Sequence, residues 1–344
     1  MIQMPRDAGS VAMWDYEDTT LAVAAVWTEK KPGRGEDAPP TWLFHRSSGR
    51  GVIAVYDGLG GSGGRAVGRT PDEVDVSGAF VGSRVARFAL EDWFVATAPK
   101  RRVSDAGDLH GALLEALRQT GLAPGKLSGT MVRHLPTTLA AIEFEMAEDR
   151  VEFAARWAGD SRAYILHTKM GLQPISRDDT PDSDALILLG NDQPMTNLVC
   201  ADRPFIVNEF LKASPRHLPV LLVCATDGFY NYVPTPAHFE FLLLNTMYEA
   251  ASLADWTRIL ADRVQEYTSD DASLVIAVPG YRSYIAMRAR YLDRLRTLSR
   301  DYIQPFRQVH EFGDGPAIAA TKADQWARYR KGYEKWIRQM EPNR

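Results

Sequence analysis

The stretch Val52-Ile53-Ala54-Val55-Tyr56-Asp57-Gly58-Leu59-Gly60-Gly61 constrains this chain more than any other. A short apolar, β-branched run closed by Gly51 reads as a buried strand, because it is too short for a helix. Asp57 therefore stands where a strand opens into a loop. Rigid backbone holds its carboxylate on one side, while the glycines let the next turn come close to a ligand. An Asp-Gly turn alone would account for one such site. Repetition argues for more. Leu218-Pro219-Val220-Leu221-Leu222-Val223-Cys224-Ala225-Thr226-Asp227-Gly228 repeats the construction, and the run from Val151, alternating through Phe153, Ala155 and Trp157, ends at Gly159-Asp160.

Two acidic pairs stand at strand starts instead. Glu17-Asp18 precedes the apolar run Leu21 to Trp27, and Asp270-Asp271 precedes Leu274 to Val278. In an antiparallel sheet a strand start lies beside its neighbour's end, so all five acidic sites are expected to share one rim. Carboxylates crowded there repel one another unless a cation sits among them. With oxygen donors and no clustered His or Cys, the cation expected is Mg²⁺ or Mn²⁺. A pair of such ions suits in-line attack of water on a phosphoryl group.

In order and spelling, Glu17-Asp18, DGLGG at 57–61, PTTLAAI at 136–142, WAGDSRAYIL at 157–166, SRDDT at 176–180, CATDGF at 224–229 and SDDASLVIAV at 269–278 resemble the metal-dependent protein phosphatases. These are the PPM, or type 2C, serine/threonine phosphatases, here of bacterial type, and the resemblance spans roughly residues 12–280. It implies an α+β fold, a four-layer αββα sandwich of two antiparallel sheets with flanking helices. It also implies two metal ions, or three, and hydrolysis of phosphoserine or phosphothreonine in a protein through a metal-bridged water.

Carried over by residue, Asp57 matches the ligand shared by both metals, and the Gly58 carbonyl, Glu17 and Asp18 match the second metal's ligands. Asp227 and Asp270 match the first metal's remaining ligands, and Asp160 with Asp227 matches a third site; Asp57 and Asp227 are the catalytic pair. The chain departs from the pattern in lacking an arginine just before Glu17, which leaves Arg6, Arg46, Arg65 or Arg162 to grip phosphate. Leu59 replaces the histidine of many eukaryotic members, Asp271 replaces an asparagine, and Pro136 stiffens the turn before Thr137-Thr138.

The 344 residues, 45% hydrophobic and 24% charged, describe an ordinary globular chain. Two cysteines make no disulfide framework, and Met1 to Ser10 lacks the apolar core of a secretory signal, so a cytoplasmic protein without a membrane span is expected. The polar stretch 28–50 reads as a solvated hairpin loop. Helices are expected over 81–94, with Val81, Val85, Phe88, Leu90 and Trp93 inside, and over 109–120 and 237–266. The segment 178–219, with Asp182, Asp184, Asn191, Asp192, Asp202 and Arg203, is where the family carries a variable flap that would select substrate.

Charge divides the chain at Gly280. Residues 281–344 hold 14 Lys and Arg against 7 Asp and Glu, whereas the rest holds 26 against 37. The expected organisation is a phosphatase domain at 1–280 and a basic amphipathic helical extension at 281–344. Ile285, Leu292, Leu295 and Ile303 form one apolar stripe, and Trp326, Tyr329, Tyr333, Trp336, Ile337 and Met340 a second. Packing of these stripes on the chain's own domain is favoured, because exposed they would aggregate; their arginines could still meet a protein partner, and no nucleic acid is expected. Two other readings of the whole remain: a phosphatase-fold scaffold without turnover, and a small-molecule phosphoesterase.

Overall fold

The computed structural model describes residues 11–69, 73–100, 105–122, 132–147, 150–182, 184–189, 193–212 and 220–340. Arg6, Asn191, Asp192 and the Leu218-Pro219 lead-in singled out above lie outside the described residues. In chain order the strands are β1 (Val11–Glu17), β2 (Leu21–Thr28), β3 (Ala38–His45), β4 (Arg50–Tyr56), β5 (Ala66–Arg69), β6 (Asp75–Ser77), β7 (Leu139–Met146), β8 (Val151–Ala158), β9 (Arg162–His167), β10 (Gly171–Pro174), β11 (Asn208–Lys212), β12 (Leu221–Ala225) and β13 (Ala272–Pro279). The helices are α1 (Gly60–Gly63), α2 (Gly78–Thr97), α3 (Ala106–Gln119), α4 (Ala185–Leu188), α5 (Asp227–Tyr230), α6 (Pro236–Glu249), α7 (Leu253–Tyr267), α8 (Tyr284–Leu298), α9 (Gln304–Phe312), α10 (Gly315–Tyr333) and α11 (Ile337–Met340).

Two antiparallel sheets form the centre. One runs β1-β2-β13-β12-β9-β10 and the other β11-β8-β7-β4-β3. The central strands β2, β12 and β13 are apolar on both faces because their sheet is covered twice. Between the sheets Val23, Ala25, Ile53, Val55, Ile142, Ile165, Leu222, Cys224 and Val275 interdigitate. Outside the six-stranded sheet lie α6, α7, α8 and α10, and outside the other lie α2 and α3. The result is the four-layer αββα sandwich.

Helix faces differ from expectation where backbone approach decides them. In α2 the buried face is Ala79, Gly82, Ala86, Leu90 and Trp93, while Phe88 is 61% exposed. Small residues face inward because a Cβ at Gly82 would overlap the Leu135 backbone. Leu135 itself holds a left-handed backbone, φ 54°, which turns the chain into Pro136 and the two threonines that follow.

The last sixty residues bury their aromatic stripe against the six-stranded sheet. Tyr291, Leu295, Trp326, Tyr329 and Tyr333 share one apolar cluster with β9, β12 and α6. Ile285, expected inside, is 72% exposed, since Tyr284, Met287 and Tyr291 set the inward face of α8. At the centre of this interface Glu240 is fully buried, accepting from Arg294 Nε and Nη2, each at 2.7 Å, and from the Tyr329 hydroxyl at 2.6 Å. Glu240→Ala is expected to cost about 3–5 kcal/mol, because it leaves a largely buried guanidinium without its counter-charge. Urea unfolding measures this; a loss under about 1 kcal/mol would show that the tail is held by its aromatic packing instead.

Candidate metal centre and active site

Strand β4 delivers Asp57 to the rim, and its backbone is pinned there. Asp57 N donates to Thr138 Oγ1 at 3.1 Å, and its carbonyl accepts from Thr138 N and Thr137 Oγ1, both at 2.8 Å. The Pro-Thr-Thr motif thus orients the aspartate. Gly58 bridges to Thr137, and a Cβ there would overlap the Glu36 and Ala79 carbonyls, so the loop admits only glycine. A Cβ at Gly60 would overlap the Glu36 carboxylate.

Those contacts identify a pair that the sequence reading passed over. Ala38 pairs with Tyr56, so Asp37 lies across from Asp57 in the β3–β4 hairpin. Asp37 is buried, and its Oδ2 accepts from Thr226 Oγ1 and Ser273 Oγ, both at 2.9 Å. The Glu36 carboxylate accepts from Ser77 Oγ, and the Glu36 carbonyl accepts from Ser83 Oγ at 2.6 Å. The loop before it is ordered, not merely solvated: Asp271 accepts from Lys30 N and Glu36 N at 2.7 and 2.6 Å, and Glu29 accepts from Gly33 N and Gly35 N. Arg34, exposed on this loop, stands two residues before Glu36.

The remaining acids arrive from the other strands. Asp160 follows β8 after Gly159, whose φ of 97° makes the turn, and the Tyr230 hydroxyl donates to the Asp160 carbonyl at 2.6 Å. Asp227 begins α5 at the end of β12, and Asp270-Asp271 leads into β13. Burial first, then the charges of Asp37, Asp227, Asp160 and Asp270, push the Asp57 carboxyl well above the usual range. Burial and Asp271 do the same to Asp37, and burial and Asp227 to Asp160. One field of mutual repulsion therefore joins Asp37, Asp57, Asp160, Asp227, Asp270 and Asp271.

Glu17 and Asp18 are not part of it. In sheet register Leu21 pairs with Pro279 and Thr28 with Ala272, so β2 and β13 start at opposite ends of the sandwich. Two antiparallel neighbours cannot bring both their starts to one rim. The eight residues of β2 put roughly 20 Å between Asp18 and the acidic cluster. There Tyr281 donates to Glu17, while Asp18 accepts from Thr20 N at 2.8 Å, Leu21 N at 2.9 Å and the Tyr16 hydroxyl at 2.7 Å, capping the β1–β2 turn. Arg46 lies at that far end too, 3.6 Å from Asp18. Arg162 is occupied by Asp178, at 2.9 and 2.7 Å, and packs 4.0 Å from the Tyr230 ring centre.

The donor set fits a hard divalent cation. It is all oxygen, and Asp160 Oδ1 is buried without a hydrogen-bond partner. Among the described residues no three carboxylates are drawn close enough to close on one ion. The missed pair did leave a signal: Glu36-Asp37 opens the strand joined by a hairpin to the DGLGG strand, and hairpin partners must place a start beside an end.

No protein-family model matches the chain, and no curated protein matches its sequence. Solved structures do match. The Mycobacterium tuberculosis serine/threonine phosphatase PstP/Ppp superposes with a TM-score of 0.50 at 15% identity, over 76% of this chain and 99% of that one. A C. elegans sex determining protein superposes with a TM-score of 0.56 at 15% identity, over 80% of this chain and 68% of that one. The chain therefore has the fold of the bacterial-type PPM serine/threonine phosphatases.

Proposed function

We propose that this chain is a metal-dependent phosphatase that hydrolyses phosphoserine or phosphothreonine in proteins. The observation that carries this reading is the convergence of Asp37, Asp57, Asp160, Asp227 and Asp270 on one rim, where burial and repulsion favour a bound cation. Asp57, Asp227, Asp270 and the Gly58 carbonyl are assigned as ligands, Asp160 as a ligand of a third ion, and Glu36-Asp37 takes the role first given to Glu17-Asp18. Mg²⁺ or Mn²⁺ bound there supplies a low-pKa water nucleophile and offsets charge developing on the phosphoryl oxygens.

The protein's own part is preorganisation. Thr137 and Thr138 fix Asp57, Thr226 and Ser273 fix Asp37, and Asp271 fixes the loop that carries Arg34. We assign Arg34 to the substrate phosphate, since its fork of donors suits that geometry and its loop stands beside the acids. Asp179 holds the flap to the rim: its carboxylate accepts from Gly159 N, Asn197 and Asn208. This makes the flap the natural determinant of which phosphoprotein is accepted. Among the described residues no helix is long and apolar enough to cross a membrane. A signalling role in the cytoplasm is the setting this reading implies.

Purified protein is expected to hydrolyse p-nitrophenyl phosphate and a phosphothreonine peptide with Mn²⁺ or Mg²⁺, and neither in EDTA. Silence on both, in folded protein that still binds Mn²⁺ by calorimetry, would make it a phosphatase-fold binding module. Turnover of the small ester alone would indicate a small-molecule phosphoesterase.

A further inference from the structure

The flap is fastened to two different parts of the chain. At the rim, Asp179 accepts from Gly159 N, Asn197 and Asn208, and Asp178 pairs with the buried Arg162. Five residues further on, Asp184 is fastened to the C-terminal extension instead. Its Oδ1 accepts from Leu186 N and Ile187 N, at 2.9 and 3.3 Å, and so caps α4. Its Oδ2 accepts from Arg330 Nη1 at 2.8 Å and from Trp326 Nε1 at 3.2 Å. One carboxylate therefore both starts the flap helix and docks it on α10.

Apolar contact continues the join. Ala185 is buried in one cluster with Trp326, Tyr329 and Tyr333, and Leu186 and Leu189 pack against it. Arg162, Asp178 and Leu188 share with Tyr333 and Ile337 the lining of a gap of about 10 Å³, room for one water at most. The extension is in turn held to β10: Gln173 Nε2 donates to the Gly332 carbonyl at 2.8 Å, and Gln173 Oε1 accepts from Trp336 Nε1 at 3.0 Å. Latch and rim anchor lie close together, because the chain from Asp179 to Asp184 spans at most roughly 18 Å. The acids assigned to the cation all precede residue 281, so α10 acts on the rim only through what it holds.

We propose that the C-terminal extension sets the position of the flap, with Asp184 and Arg330 as the positioning residues, and so governs which phosphoprotein reaches the rim. The consequence for substrate rests on the phosphatase reading; the latch itself does not. Arg330 is the accessible half of the latch, its side chain 42% exposed against 18% for Asp184. Replacing it opens the latch while the aromatic packing beneath stays in place. A small ester needs only the rim, whereas a phosphorylated peptide must also lie against the flap that Asp179 keeps beside it. Loss of the latch therefore falls on the peptide and spares the ester.

Arg330→Glu places a carboxylate against Asp184 and Glu334, and Arg330→Lys restores the charge. Amide exchange of the full chain in EDTA reads the latch directly, since the amides of Leu186, Ile187 and Leu188 all donate to Asp184. These are expected to exchange about fivefold faster or more in Arg330→Glu, and near the wild-type rate in Arg330→Lys. With Mn²⁺, kcat/KM for p-nitrophenyl phosphate is expected to stay within about twofold, while KM for the phosphothreonine peptide rises about fivefold or more. General loss of structure would speed exchange in β4 and β12 as well, which an open latch leaves unchanged. Unaltered exchange in Arg330→Glu would overturn the latch. Faster exchange with an unaltered peptide KM, or with equal losses on both substrates, would overturn its part in selection. Should wild type turn over neither substrate, the phosphatase reading fails and selection with it, while exchange still decides the latch.

Discussion

Asp57→Asn is expected to lower phosphothreonine-peptide turnover by at least about a thousandfold while leaving the protein folded. The fold does not depend on the charge. The bonds that hold this position run from Thr137 and Thr138 to the Asp57 backbone, and the amide keeps the side chain's shape. Chemistry would depend on it, since Asp57 is among the carboxylates that would hold the cation proposed for the rim. Stability supplies the control. In EDTA the substitution removes one charge from a rim where Asp37, Asp227, Asp160 and Asp270 all oppose it. The melting temperature without metal should therefore stay level or rise as activity disappears. Activity within about tenfold of wild type would falsify the assignment of Asp57.

The second large effect is a contrast between two acidic pairs of the same spelling. Asp37→Asn is expected to reduce turnover by about a hundredfold or more, whereas the double variant Glu17→Gln, Asp18→Asn should stay within about twofold. Asp37 lies across the hairpin from Asp57, and the hydroxyls of Thr226 and Ser273 can rotate to suit an amide. Asp18 instead caps a turn at the far end of the sandwich, so its loss should appear as about 1 kcal/mol of stability. Equal loss of turnover in both variants would show that the far turn communicates with the rim. The reverse ranking would restore Glu17-Asp18 to the site.

Other departures from expectation follow the same logic of partners. The stretch 28–50 looked like solvated loop because its charges outnumber its apolar residues, yet Asp271 and Glu29 cap its amides and β3 emerges from it. Phe88 and Ile285 fit a helical stripe by spacing. They point outward because close backbone approach in α2, and the Tyr284, Met287 and Tyr291 face in α8, set a different rotation of each helix. Spacing tells that a helix has one apolar face, and only the neighbouring backbone tells which residues it can admit.

Some of the protein was legible without coordinates. Apolar runs stopping on Asp-Gly are local patterns, and a strand that ends in a carboxylate does so in any fold. So the strand-end acids Asp57, Asp160 and Asp227 could be read from the chain alone, while the two antiparallel sheets with helices around them followed from the resemblance of its motifs to a known family. Membership of the rim at strand starts could not. Glu17-Asp18 and Glu36-Asp37 each precede an apolar run, and their own spelling does not distinguish them. Sheet order does: β3 is the hairpin partner of β4, while β2 lies against β13 and runs opposite to it. Which end of a sandwich a residue occupies is a property of pairing between distant strands, and for that reason only the tertiary structure decided it.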